Sequence, residues 1–195
     1  MKDTSNVKDR IISVTTELIE QYDGDVKNIT SRVIAEKAEV GLGLINYHFG
    51  NKENLITTCV QRIINNVVIQ GVTVNKKYET DKENLIAKAT YVFNFLFENT
   101  AVSRISILGD LQSYSASSNS AYTQKGFIKS LTKDVKEQDK ALLSFMLTAT
   151  MQVAFLGSDA VKEILGYDLK NAKERAAFIE KTVLILFEDV QKEQV

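Results

Sequence analysis

The chain has 195 residues, enough for one sizeable helical core or for a small module joined to a larger one. Its 24 basic residues stand against 25 acidic ones, a formal net charge of -1, so no global field draws it to nucleic acid or an acidic surface. The single cysteine, Cys59, excludes an intrachain disulfide, and the opening MKDTSNVKDR lacks the apolar core of a secretory leader, so a reducing, cytoplasmic setting is expected. With no proline, nine glycines and apolar residues recurring at three- and four-residue steps, the predicted fold class is all-α.

In chain order, Val7, Ile11, Val14, Leu18 and Tyr22 alternate four- and three-residue steps and predict an amphipathic helix over 7–22. Thr4, Ser5 and Asn6 are its cap candidates, and Gly24 is expected to end it. Thr30 is placed to cap a second, short helix whose inward positions are Val33, Ile34 and Ala38. Glu39-Val40-Gly41 reads as a turn, and another short helix over 42–49 turns Ile45 and Phe49 to the core. Two short helices joined by a tight turn make a helix-turn-helix.

Gly50 breaks the chain again, and Asn51 can cap a longer helix reaching to residue 70, followed by a polar connector over 71–80. Thr80 and Glu83 form an S/T-x-x-E capping box for a helix that carries Leu85, Ala89, Val92, Phe93 and Leu96. A short helix over 102–111, a serine-rich loop over 113–120 and a helix over 121–134 follow. The next helix, over 138–157, is expected to continue or kink into 158–165. Residues 141–158 are free of charge over 18 positions, the length of a short membrane span. Ser144, Thr148, Thr150 and Gln152 interrupt them and no basic cluster flanks them, so they read as a helix buried in protein. The last helix, capped by Asn171 with Glu174, carries Phe178, Ile179, Val183, Leu186, Phe187 and Val190.

The segment ITSRVIAEKAEVGLGLINYHFGNKENL, residues 29–55, resembles the DNA-binding core of the TetR family of transcriptional repressors. The match includes Thr30, Ile34, Ala35, Ala38, Val40, Gly43, Ile45, Tyr47, Phe49, Lys52, Glu53 and Leu55. The resemblance implies an N-terminal helix-turn-helix DNA-binding domain over 1–52 and a helical effector-binding and dimerisation domain over 53–195. It puts Arg32, Leu42, Gly43, Leu44 and Tyr47 at base-facing positions and Thr30, Asn46, His48 and Lys52 at phosphate-facing ones. Physical chemistry supports such roles: a recognition helix must be thin at the groove and flanked by phosphate donors, and Ser31 joins that donor set. Two departures stand out, Glu39 where the turn usually has glycine and Leu44 where a small hydroxyl residue is commoner.

Residues 1–60 carry seven basic against nine acidic side chains, but most of the acids lie on the first helix and its end. His48 is the only histidine, so no metal site is expected; there is likewise no E-x-x-H pair, no G-x-S-x-G and no phosphate loop, so neither a cofactor nor an enzyme is expected. The expected partners are double-stranded operator DNA, a second copy of the chain, and a small apolar or aromatic effector, with no membrane. Tyr91, Phe95, Tyr114, Phe127, Phe145, Met146, Met151 and Gln152 are the candidate pocket residues. Val153, Phe178, Val183 and Phe187 are the candidate dimer contacts. The alternative is a helical ligand-binding or protein-interaction bundle whose helix-turn-helix no longer binds an operator. The acidic balance of the head and Glu39 favour it, while Arg32, Gly43, Tyr47 and Lys52 oppose it.

Overall fold

A computed structural model describes residues 4–22, 25–71, 78–131 and 135–192. Among them are ten α-helices and no strand, as the apolar periodicity predicts. They are α1 (Thr4–Gln21), α2 (Ser31–Lys37), α3 (Leu42–Phe49), α4 (Lys52–Gly71), α5 (Asp81–Glu98), α6 (Thr100–Gln112), α7 (Asn119–Ile128), α8 (Glu137–Leu156), α9 (Ser158–Leu165) and α10 (Ala172–Lys192). The predicted helix stop at Gly24, most of the connector over 71–80, and residues 132–134 lie outside the described residues.

The chain divides into two compact units, Met1–Val74 with Thr100–Leu108, and Asn75–Asn99 with Gly109–Val195. The division falls well beyond residue 52, and the reason is α4. Its Leu55, Ile56, Cys59 and Val60 are buried with Ile11, Ile12, Leu18 and Ile19 of α1, Ile34 and Ala35 of α2, and Ile45 and Phe49 of α3. The short helices α2 and α3 bury too little surface to stand alone, and α1 and α4 supply the rest. Ala101 and Val102 of α6 complete this core. Along α1 the buried line runs through Ile11, Ile12, Thr15, Leu18 and Ile19, one position round from the predicted stripe, leaving Tyr22 exposed. Thr15 is tolerated there because its hydroxyl donates to the Ile11 carbonyl at 2.7 Å.

In the second unit α5 packs along α10, α7 along α8, and α8 touches α5, α9 and α10. The predicted capping box forms: the Thr80 hydroxyl accepts from the Glu83 amide at 3.2 Å, and the Glu83 carboxylate accepts from the Thr80 amide at 3.3 Å. Leu85, Ala89 and Phe93 of α5 meet Leu143, Leu147, Met151 and Phe155 of α8 and Phe178, Ile179, Val183 and Phe187 of α10 in one core. An aromatic seam runs through it, Phe93 stacking on Phe178 at 5.8 Å and Phe97 meeting Phe155 edge-on at 5.2 Å. Gly157 ends α8, and α9 leaves at 100° to it, which realises the predicted kink; no single described helix is long and apolar enough to cross a membrane.

The cap at Thr80 is exposed and local, so Thr80→Ala should lower unfolding free energy by about 1 kcal/mol, whereas Thr80→Ser should stay close to the parent. Chemical denaturation followed by circular dichroism measures the difference.

Candidate nucleic-acid interface

Helix α2 starts at Thr30, whose side-chain oxygen accepts the Val33 amide at 3.2 Å, and Ile34, Ala35 and Ala38 hold it on the core. It ends by two reverse hydrogen bonds, Glu39 N–H to the Glu36 carbonyl at 3.1 Å and Val40 N–H to the Ala35 carbonyl at 2.9 Å. That pattern needs a left-handed residue between them. Glu39 supplies it with φ of 53°, a conformation usually left to glycine. The sequence therefore announced this strain correctly, and the turn forms in spite of it.

Helix α3 follows at once, with Ile45 and Phe49 buried one turn apart. Leu42, Gly43, Leu44, Asn46 and Tyr47 are all exposed, and Tyr47 shows 76% of its surface. Three large apolar or aromatic side chains on the wet side of an eight-residue helix need an external partner to explain them. Gly43 points the same way. A methyl group there would meet nothing within 4 Å, so packing inside the chain does not require glycine.

The far end of α3 is tightly closed. Gly50 takes φ of 79°, the Asn51 side chain accepts the Asn54 amide at 2.7 Å, and the Asn54 side chain donates to the Phe49 carbonyl at 3.1 Å. Lys52, expected to face phosphate, instead donates to the Val26 carbonyl at 3.2 Å and lies 3.9 Å from the Glu53 carboxylate. Its ammonium ties the start of α4 to the loop before α2. His48 is half-buried, its ring edge-on to Tyr47 at 5.0 Å, and its Nε2 is shielded without a hydrogen-bond partner, so only Nδ1 remains for an outside group. Arg32 and Asn46 are exposed, Thr30 is exposed and Ser31 half-buried beside them, and Arg32 forms no ion pair among the described residues.

The acids of the head are partly answered elsewhere. Asp9 pairs with Arg62 at 2.9 Å and Glu17 with Lys37 at 3.6 Å. Cys59 carries no surface chemistry: burial pushes its thiol up to about 11, against smaller opposing effects of Thr16 and Arg62, and its Sγ donates to the Ile12 carbonyl.

No family model matches the chain. It is 28% identical over 98 residues to an HTH-type transcriptional regulator of Staphylococcus aureus (strain bovine RF122 / ET3-1). That stretch is 50% of this chain and 52% of the relative, so the match spans about half the length of that protein. Among solved structures, a TetR transcriptional regulator from Rhodococcus sp. RHA1 superimposes with a TM-score of 0.60 at 13% identity, over 93% of this chain and 96% of that one. The chain has the fold of a TetR regulator.

Within the larger unit of this TetR-like fold, the residues predicted to line a pocket do not share one place. Phe127 and Met151 are buried in the core, whereas Tyr91, Tyr114, Phe145 and Met146 are exposed in the single chain. Phe95 is half-buried. The Tyr114 hydroxyl and Gln124 amide bond each other at 2.8 to 3.0 Å, with the Tyr114 ring against Phe145 at 6.5 Å. Gln152 alone among the polar candidates points inward, donating to the Ser120 hydroxyl at 2.6 Å. Of the predicted dimer contacts only Val153 is outward, at 69% exposure. Phe178, Val183 and Phe187 are buried within the chain's own core and offer nothing to a second copy, because that side of α10 is the one α5 and α8 cover. Among the described residues of α10 the exposed large apolar side chain is Ile185.

Relief of the turn gives a direct test of the local geometry. Glu39→Gly should raise unfolding free energy by about 0.5 to 1 kcal/mol, the left-handed penalty removed exceeding the added chain entropy. A stability equal to or below the parent in a denaturant titration would show that the turn is not strained.

Proposed function

We propose that the chain is a dimeric, TetR-type transcriptional repressor that inserts α3 into the major groove of a palindromic operator and is released by a small-molecule effector. The observation that carries the reading is the outward side of α3, apolar, aromatic and thinned by Gly43, with no internal use for any of those side chains. In this reading Leu42 and Leu44 meet thymine methyls, Tyr47 and Arg32 reach base edges, and Thr30, Ser31, Asn46 and His48 Nδ1 contact phosphate. Lys52 acts mainly by holding the start of α4 in place. The likeness to HTH-type and TetR regulators supports the class of function.

Dimerisation through the second unit is the accompanying proposal. Leu142, Phe145, Met146 and Val153 leave α8 with an exposed apolar side, and Ile185 extends that character to α10. Paired with their copies across a two-fold axis, two such helices from each chain bury this surface in a four-helix bundle. Two heads then address half-sites about one helical turn of DNA apart or a multiple of it. An effector lowers operator affinity only by its preference for the arrangement with the wrong head spacing, and a tenfold loss needs about 1.4 kcal/mol of such preference.

The test begins with selection of binding sites from genomic DNA using the purified protein; no enriched palindrome would leave the helical bundle without operator binding as the reading. On the selected operator, Arg32→Ala should cost about 1 to 3 kcal/mol of affinity and little on unrelated DNA. Gly43→Ala separates contact from folding: it should leave the protein as stable or up to about 1 kcal/mol more stable while weakening operator binding. A Gly43→Ala protein that binds its operator as well as the parent argues against close groove approach. For the dimer, Val153→Glu should give a monomer in sedimentation velocity at micromolar concentration with its helicity intact, whereas Val183→Glu should unfold the chain.

A further inference from the structure

Lys140, Ser144, Thr148 and Gln152 follow one another along α8 at four-residue steps, so they stack on one side of the helix. That side faces inward: Lys140, Ser144 and Thr148 are at most 3% exposed, and Gln152 reaches Ser120 of α7. A polar row buried in an otherwise apolar core is costly, since each unbonded buried donor loses about 1 to 3 kcal/mol. Thr148 meets the need by donating to the Ser144 carbonyl at 2.8 Å. Ser144 does not; its hydroxyl is buried with no hydrogen-bond partner. Lys140 is neutralised at 2.7 Å by Glu137, a carboxylate whose own side chain is 80% exposed. The ammonium is therefore shielded while its counter-charge stands in water, where another carboxylate can replace it.

Helices α5 and α7, both packed against α8, bring a pair of cations together. Helix α7 packs along α8, the Ser120–Gln152 bond joining them, and Lys129 and Ser130 follow its last turn. The Ser130 carbonyl accepts from the Asn84 side chain of α5 at 3.4 Å, and the next turn of α5 carries Lys88. Burial and then the charge of Lys129 hold the Lys88 ammonium below its ordinary pKa, so Lys88 and Lys129 lie close enough to feel one another.

We propose that this corner of α5, α7 and α8 binds a small organic monocarboxylate, which displaces Glu137 from Lys140 and accepts the Ser144 hydroxyl. One buried ammonium and one buried hydroxyl match a single carboxylate rather than a dianionic phosphate. Lys88 and Lys129 favour its approach from solvent. As the identity of the effector this rests on the regulator reading above, whereas as a binding site it does not.

The experiment is a thermal-shift and calorimetric titration of the full chain with butyrate, octanoate and benzoate, each beside its primary amide, and with inorganic phosphate. At least one carboxylate should bind, its amide and phosphate should not, and Lys140→Met should weaken that carboxylate at least tenfold. Ser144→Ala should weaken it less, and Glu137→Gln, which frees Lys140 from its internal partner, should tighten it. Failure of all three carboxylates, equal binding of an amide, or an affinity unchanged in Lys140→Met overturns the site. If Lys140→Met does not fold, Glu137→Gln decides alone, and affinity no tighter than the parent overturns it. A parallel DNA titration separates the two readings. Carboxylate binding by a chain that binds no operator removes the function proposed above and leaves the site, while operator binding with no carboxylate binding removes the site alone.

Discussion

Helix α3 is little more than two turns long, and Ile45 with Phe49 is all it buries. Two side chains are too few to hold such a helix on their own, so its position depends on α1 and α4 closing the core beneath it. Asn51, Asn54 and Gly50 fix where it stops, and Lys52 pins the start of α4 to the loop before α2. Once Ile45 and Phe49 are anchored, the helical period leaves Leu42, Gly43, Leu44, Asn46 and Tyr47 no side to occupy but the outer one. The exposure of that surface is thus a consequence of the anchor.

Charge works less simply. The head is acidic overall, yet Asp9 and Glu17 are paired with Arg62 and Lys37, while Arg32 on α2 is exposed and forms no ion pair among the described residues. A phosphate backbone attracts local charge within about a Debye length, roughly 8 Å at physiological salt, so the distribution matters more than the sum. Glu39 cuts against this arrangement, being both exposed and held in a left-handed turn. Its retention there has no account in the chain's own packing.

The head was readable from residues because its signals are local. The Thr30 cap, the turn at Glu39, the Ile45 and Phe49 pair and the Asn51 cap each follow from a few neighbouring side chains, and each is present. The larger unit was readable in its helices and in the Thr80 capping box, but not in its surfaces. The apolar residues of α10 cover more than one side of the helix, and a periodic pattern cannot say which side meets α5 and which is left for another molecule. Phe178, Val183 and Phe187, expected for that reason at a dimer contact, lie on the covered side. The aromatic side chains expected at a pocket divide in the same way, Tyr114 and Phe145 packing on the surface while Phe127 fills the core. The four-residue spacing from Lys140 to Gln152 is masked in the sequence by the apolar character of the segment as a whole.

Two buried cations in the larger unit show how burial alone fails to mark a site. Arg175 is closed from within: Nε donates to Asn94 at 2.7 Å, Nη1 to the carbonyls of Leu169 and Lys170 at 3.0 and 3.2 Å, and the guanidinium lies 4.9 Å from the centre of the Phe97 ring. It holds the loop before α10 to α5, and its planar fork suits several fixed carbonyls at once. Lys140, though as deeply buried, has no comparable set of internal acceptors. Its ion-pair partner lies in solvent, and the hydroxyl one turn further along α8 has no partner at all. An ammonium on a flexible stem can trade one carboxylate for another with little rearrangement, whereas the guanidinium could not leave its carbonyls without opening the loop. The difference between a structural cation and one able to bind a ligand lies in who supplies the counter-charge and whether the core depends on it.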